Sequence, residues 1–221
     1  MAETAQQPPA GLTREAEEAG FYHEAALNAA WTGARLALGG LTFGLGSFVF
    51  AFFYLRSLDS SGRWMGSAWR QPSVIEGTVI MLLVLVSAGI HYAALQQIKA
   101  GRKSVWQIGG VIALLLGLAA VIWQIVQLLS LPFWPGSSGY ASVYVGFYPV
   151  FLVIVLCAMV WLEMLLMRSR FIPAISFVEQ PPTYEEAFAV QRFQANLSGF
   201  SLVWSFLAVM AILFWVLFYA I

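Results

Sequence analysis

The chain has 221 residues, of which 60% are hydrophobic and only 10% are charged, and its formal net charge is zero. Soluble globular domains carry about 25% charged residues, so this composition predicts that lipid is the solvent for much of the chain. The zero net charge argues against a nucleic-acid or strongly acidic partner. Since there is a single cysteine, Cys157, a disulfide within the chain is excluded.

The first 30 residues are predicted to form a polar tail. They contain five glutamates and no apolar stretch of the kind found in a signal peptide, so no cleavable leader is expected. Thr13 precedes a run of acidic residues, which favour the positive end of a helix dipole. This pattern predicts a short amphipathic helix near 12–30.

Five later stretches are long and apolar enough to cross a membrane, since spanning a hydrocarbon layer takes about 20 residues of helix. A polar face is missing from most of them, which is not compatible with core helices of a soluble protein. The sequence therefore predicts an all-α integral membrane domain over 31–221, built as a five-transmembrane-helix bundle. The predicted spans are 33–55, 74–97, 105–130, 141–167 and 197–220.

The distribution of lysine and arginine predicts the orientation of the bundle. With the N-terminus inside, eight basic residues fall in inner segments and three in outer ones. The turn at 98–104 alone carries three bases in seven residues. Because short inner loops are enriched in lysine and arginine, the N-terminus is expected inside and the C-terminus outside.

Two sets of small or polar residues are predicted to pack helices together. In the first span, Gly40 and Gly44 have the small-xxx-small spacing and Thr42 can donate a hydrogen bond, which predicts a tight packing seam. A phenylalanine series is expected opposite this seam: Phe43, Phe48, Phe50, Phe52 and Phe53. In the third span, Gln124 and Gln127 share one face. Unpaired amides are costly in hydrocarbon, so both should face protein as interhelical contacts, with a polar path as the alternative.

Few ionisable residues lie in or near the spans, and each is a candidate polar or lipid-contact position. Glu76 is expected at a helix N-terminus, where the dipole stabilises a carboxylate. His91 is interpreted as a hydrogen-bonded packing residue, with a proton relay as the alternative. Glu163 is expected to pair with Arg168 or Arg170 near the end of the fourth span.

The sequence contains no recognisable catalytic constellation. Ligation of haem or copper needs at least two well-placed histidine or sulfur ligands, whereas His91 and His23 are the only histidines. There is also no glycine-rich phosphate loop. We therefore predict no catalytic residue, metal or cofactor in this chain, and whether it belongs to an enzyme complex stays open at this point.

Three ordered segments carry a family resemblance. They are "WTGARLALGGLTFGLGSFVFAFFYLRS" at 31–57, "GTVIMLLVLVSAGIHYAALQQIKAGRK" at 77–103 and "WQIVQLLSLPFWPGSSGYASVYVGFY" at 123–148. Together with the number of spans and the basic inner turns, they make the chain resemble subunit III of haem–copper cytochrome c oxidases, in its five-helix form. It departs from that family where Thr42 and Gln127 replace common glutamates, and where 141–167 contains no histidine.

This resemblance implies a non-catalytic subunit beside oxidase subunit I, which itself holds the haems and copper. Such a subunit stabilises the catalytic subunit, binds phospholipid and lies in the plasma membrane of a prokaryote. The electron donor of the complex would be cytochrome c or a quinol. Alternatives are an accessory subunit of nitric oxide reductase, an independent small transporter and an assembly factor.

Overall fold

The computed structural model describes residues 10–59, 62, 64–65, 72–173, 177–179 and 183–221. These residues form five long helices and no strand, and each helix contains a segment long and apolar enough to cross a membrane. The predicted all-α architecture with five candidate membrane-spanning helices is confirmed. The helices are α1 Ala10–Ser57, α2 Val74–Lys99, α3 Lys103–Leu129, α4 Gly139–Ser169 and α5 Tyr184–Trp215, which continues into a π-helical turn, Val216–Ala220.

Two of the helices extend well beyond the predicted membrane spans. The tail helix expected at 12–30 and the span expected at 33–55 form one continuous helix of 48 residues, α1. Likewise, α5 begins at Tyr184, ahead of the span predicted at 197–220, with the Thr183 side chain accepting a hydrogen bond from the Glu186 amide at 3.3 Å. A change from polar to apolar residues does not end a helix, and neither stretch contains a proline to break it.

The helices alternate in direction. Gly109 of α3 lies against Ala94 of α2, and the Ser87 hydroxyl donates to the Ala113 carbonyl at 2.6 Å, so α2 and α3 form an antiparallel hairpin. The turn between them uses Gly101 at φ 76°, a backbone conformation that glycine adopts without steric cost. Farther along the chain, α4 packs antiparallel on α3 and on α5.

Helix α1 packs on α5 and α4. Gly199 of α5 lies beside Ala30 and Ala34 of α1, while Phe52 and Phe218 meet farther along both helices, with ring centroids 5.7 Å apart. From the first contact to the second, the residue numbers increase in both helices, so α1 and α5 run parallel to each other. This position leaves one long side of α1 uncovered by the described chain.

An aromatic cluster closes the bundle near the ends of α1 and α5. The Phe147 and Phe214 rings stack between α4 and α5, and Trp64 packs edge-on against Phe52 and Tyr140. The Trp64 amide donates to the Asp59 carboxylate at 2.8 Å, and the Trp64 carbonyl accepts from the Tyr140 amide at 3.2 Å. The segment after α1 is thereby attached to the start of α4.

The close approach at Gly199 predicts that a larger residue there separates α1 from α5. A Cβ atom added to Gly199 would lie 3.1 Å from the Ala30 carbonyl oxygen and 3.1 Å from the Ala34 Cβ atom. Overpacking of this kind typically costs 1–3 kcal/mol. Gly199→Leu should therefore lower the midpoint of thermal unfolding in detergent micelles.

Gly89→Leu is the matched control, because a Cβ atom on Gly89 of α2 meets nothing within 4 Å. It should unfold at a temperature close to that of the wild type. Equal midpoints for Gly199→Leu and Gly89→Leu would contradict the proposed α1–α5 contact.

Candidate functional site

Gln124 and Gln127 lie in the interior of the chain, with exposed fractions of 3% and 2%. The Gln124 amide group donates to the Gln127 side-chain oxygen at 3.1 Å, and the Gln127 amide group donates to the Tyr219 hydroxyl at 3.0 Å. Tyr219 belongs to the π-helical turn after α5, so this chain of hydrogen bonds joins α3 to the end of the last helix. Both amides thus face protein and are paired.

Tyr219 is the centre of a larger polar cluster. Its hydroxyl lies 2.7 Å from the hydroxyl of Tyr144 on α4, and the neighbouring Tyr140 hydroxyl donates to the Phe218 carbonyl at 2.9 Å. The Tyr219 ring also packs directly on the backbone of Gly77 in α2, where a Cβ atom on Gly77 would collide with the ring. This single side chain therefore contacts three other helices.

A cavity of about 20 Å³ lies beside this cluster, between Gly77, Gln124, Tyr148 and surrounding apolar side chains. It is large enough for about one water molecule. Amide and phenol groups in this arrangement form no pair of nucleophile and general base. The arrangement is suited to holding helices together through buried hydrogen bonds.

His91 is buried between α2 and α5, with 2% of its surface exposed. Its Nε2 atom lies 2.9 Å from the Ser201 hydroxyl oxygen, and that hydroxyl donates to the Leu197 carbonyl at 2.7 Å. Since the Ser201 proton is used there, the network assigns the His91 proton to Nε2. The ring also packs edge-on against Phe200. In this position His91 connects two helices.

The charged candidates lie at the ends of helices. Glu76 is in the first turn of α2, where its amide donates to the capping Ser73 hydroxyl at 3.3 Å. Glu163, Arg168 and Arg170 are all exposed, and within the described chain no salt bridge joins Glu163 to either arginine. Glu163 precedes Arg168 by five residues and Arg170 by seven, whereas side chains on a helix meet at separations of three or four residues, so the expected ion pair does not form among these described residues.

The glycines of α1 differ from most of those in the other helices. A Cβ atom added to Gly110, Gly117 or Gly199 would come within 3.1 Å of a neighbouring helix. In α1, a Cβ atom would meet nothing within 4 Å at any of four positions: Gly39, Gly40, Gly44 and Gly46. Glycine in a helix costs about 1 kcal/mol relative to alanine. Within the described chain no packing contact at these four positions offsets that cost.

Thr42 and two phenylalanines lie along the same open side of α1. The Thr42 hydroxyl donates to the Leu38 carbonyl of its own helix at 2.7 Å, so it makes no bond to another helix. Phe43 and Phe50 are 84% and 70% exposed. With Gly39 and Gly46 they line one open groove, since positions i, i+4, i+7 and i+11 share a helix face.

The prediction that the phenylalanines lie opposite the glycines is therefore wrong for Phe43 and Phe50. It agrees better with the position of Phe52, which is 1% exposed, and of Phe48, which packs against Phe147. The helical period of 3.6 residues separates these side chains onto different faces. We call the uncovered groove of Arg35, Gly39, Thr42, Phe43, Gly46 and Phe50 the α1 groove.

Sequence reasoning missed Tyr219, Tyr144 and Ser201 as partners of the polar side chains. A tyrosine near a helix end is typical of the membrane interface, and this pattern hides its inward orientation. The spacing of Tyr140, Tyr144 and Tyr148 at every fourth residue was the available signal, because it places three hydroxyls on one face of α4. The side chain of His23 lies outside the described part of the chain.

Comparisons with models of protein families and with curated proteins find no match to this chain. Among the described residues, no three or more histidine, cysteine, aspartate or glutamate side chains form a group that could hold a metal ion.

The polar cluster predicts coupled effects of mutation. Gln127→Leu leaves the Gln124 amide and the Tyr219 hydroxyl without their shared partner and should destabilise the protein by about 1 kcal/mol, within the range for hydrogen bonds between membrane helices. Tyr219→Phe should cost a similar amount. Since both changes break the same bond, the double variant should lose less than the sum of the two.

Denaturation in mixed micelles, followed by circular dichroism, measures these free energies. Gln97→Leu is the control, because Gln97 lies near the other end of α2 and its side chain accepts from the Arg102 guanidinium at 3.3 Å, away from the polar cluster. Additive losses for Gln127→Leu and Tyr219→Phe would contradict a shared network.

Proposed function

We propose that this chain is a non-catalytic subunit of a membrane complex, and that its partner is the catalytic subunit of a haem–copper terminal oxidase. The observation that carries the proposal is the α1 groove. It places glycines and large aromatic side chains on a helix face that the rest of the described chain does not cover.

The buried polar side chains support a structural role. Gln127 and His91 each make a hydrogen bond to another helix of this chain, and Gln124 donates to Gln127 within α3. Because lipid tails are as apolar as leucine, such bonds and close backbone contacts are what hold membrane helices together. These three polar groups therefore serve cohesion of the bundle.

The open face of α1 supports association with a second protein. Glycines at helix contacts allow two backbones to approach closely, which is how many membrane helices pair. Inside this chain Gly110, Gly117 and Gly199 are used in that way. The glycines of α1 have the same character with no neighbour in the described chain, as expected of a helix that meets a partner subunit.

The resemblance of 31–57, 77–103 and 123–148 to oxidase subunit III supports the choice of partner. The same resemblance supports bound phospholipid and a place in the plasma membrane of a prokaryote. Lys103 donates to the Arg170 and Ile172 carbonyls at 3.2 and 2.6 Å, so the basic turn 98–104 and the end of α4 lie at one end of the bundle. We assign this basic end to the inner side, with the N-terminus inside and the C-terminus outside.

Purification of an affinity-tagged chain from its native membranes in a mild detergent tests the proposal. We expect haem and copper to co-purify with a larger integral membrane subunit, and deletion of this chain to lower the thermal stability of that oxidase. The co-purifying chains would also separate a cytochrome c oxidase from a quinol oxidase or a nitric oxide reductase. Recovery of the chain without any haem protein, together with transport activity in liposomes, would refute the proposal.

Gly39→Leu tests the α1 groove directly, because Gly39 is one of its lining residues. A side chain at this position meets nothing within 4 Å in the chain itself, so its fold and expression should be unchanged. In the complex, a leucine keeps the two backbones apart, and we expect the variant to be retained at less than half of the normal stoichiometry on native gels. Gly89→Leu, at an open glycine on α2, is the control that should be retained fully.

A further inference from the structure

The α1 groove ends at a charged residue. The open groove has a volume of about 810 Å³ and is lined by glycines, phenylalanines and Thr42, with Arg35 at one end. Arg35 is the last charged residue before an uncharged stretch that runs from Leu36 to Leu55. The cation therefore lies at the boundary of the apolar part of α1.

Arg35 is exposed, and its guanidinium carbon lies 4.6 Å from the centre of the Trp31 ring of the same helix. Within the described chain no carboxylate pairs with it. Stacking on an aromatic face leaves the planar donors of an arginine available for a carboxylate. A protein bound in the groove can therefore place a carboxylate next to the Arg35 guanidinium.

The hydroxyl groups of the groove do not determine what binds there. Thr42 donates to the Leu38 carbonyl at 2.7 Å, and Ser47 donates to the Gly44 carbonyl at 2.6 Å, both within α1. Recognition in the middle of the groove is therefore by shape. The paired glycines Gly39 and Gly46 permit the approach of another helix backbone, which a flexible acyl chain does not require.

A second copy of this chain does not fit the groove well. Two copies in one membrane have the same orientation, so a two-fold contact through this face would bring their α1 helices together in parallel. Arg35 would then meet Arg35 of the other copy at the same depth, and like charges across an interface are unfavourable. The charge of the groove favours a different protein.

We infer that the α1 groove binds a transmembrane helix of a different protein, which places an aspartate or glutamate side chain opposite Arg35. This inference rests on the proposed role as a subunit and names the chemistry of the partner at that surface. Glycine contacts in the groove supply close packing, and the Arg35 ion pair sets the depth and orientation of the partner helix.

Photo-crosslinking in native membranes tests this. A photoreactive amino acid replaces Phe43 in the groove or, as a control, Val153 on the exposed face of α4. We expect Phe43 adducts to a membrane helix of another polypeptide, at least tenfold more abundant than adducts to a differently tagged copy of this chain. Adducts to lipid alone, or mainly to the second copy, would overturn the inference.

Charge reversal tests the ion pair. Arg35→Glu should reduce co-purification of the crosslinked partner at least fivefold, whereas Arg35→Lys keeps the charge and should reduce it less. A lysine in place of the partner's carboxylate should restore binding to Arg35→Glu. If Arg35→Glu binds as well as the wild type, the ion pair is refuted.

The subunit role and the inference about the α1 groove can be refuted separately. If a partner co-purifies and crosslinks to Val153 but never to Phe43, the subunit role stands and the α1 groove is not its contact surface. If no protein co-purifies and neither position crosslinks to one, both the subunit role and this inference fall.

Discussion

Close backbone approach at glycine is the constraint on which this bundle depends. In lipid, burial of apolar side chains gives little net attraction between helices, so contact distance and hydrogen bonding decide which helices associate. Gly109 and Gly110 bring α3 against α2 and α4, and Gly199 brings α5 against α1. At each site the neighbour occupies the space that a side chain would need. The order of the helices therefore depends on where glycine lies on each face.

Buried polar side chains add specificity to these contacts. The Gln127–Tyr219 bond ties α3 to the π-helical end of the last helix, and the His91–Ser201 bond ties α2 to the middle of α5. A buried polar group without a partner is expensive, which penalises any register that separates these pairs. Helix α5 and its π-helical extension take part in these two bonds, and α5 also packs on α1 and α4. It is the element that joins the two sides of the bundle.

Helix α1 is unusual with respect to close backbone approach at glycine. Its glycines have the character of contact residues, yet its groove is open and carries Arg35 at one end. A helix that lies in lipid on this side would gain from larger apolar residues at Gly39 and Gly46. The small residues and the lone cation are understandable if another helix completes the contact. This division between buried groups that hold the fold and an open face on α1 is the basis of the proposed role as a subunit.

The sequence by itself determined the helical class, the five apolar segments and the identity of the polar residues that must avoid lipid. Length and hydropathy act locally along the chain, and the cost of an unpaired amide at Gln124 or Gln127 does not depend on the neighbours. The tertiary structure decided which partners satisfy those groups and which glycines face inward. It showed that Tyr219 completes the cluster, that α1 and α5 extend well beyond their apolar segments, and that Phe43 lies beside the glycines. These outcomes depend on the rotation and pairing of whole helices, which periodicity within one segment does not specify.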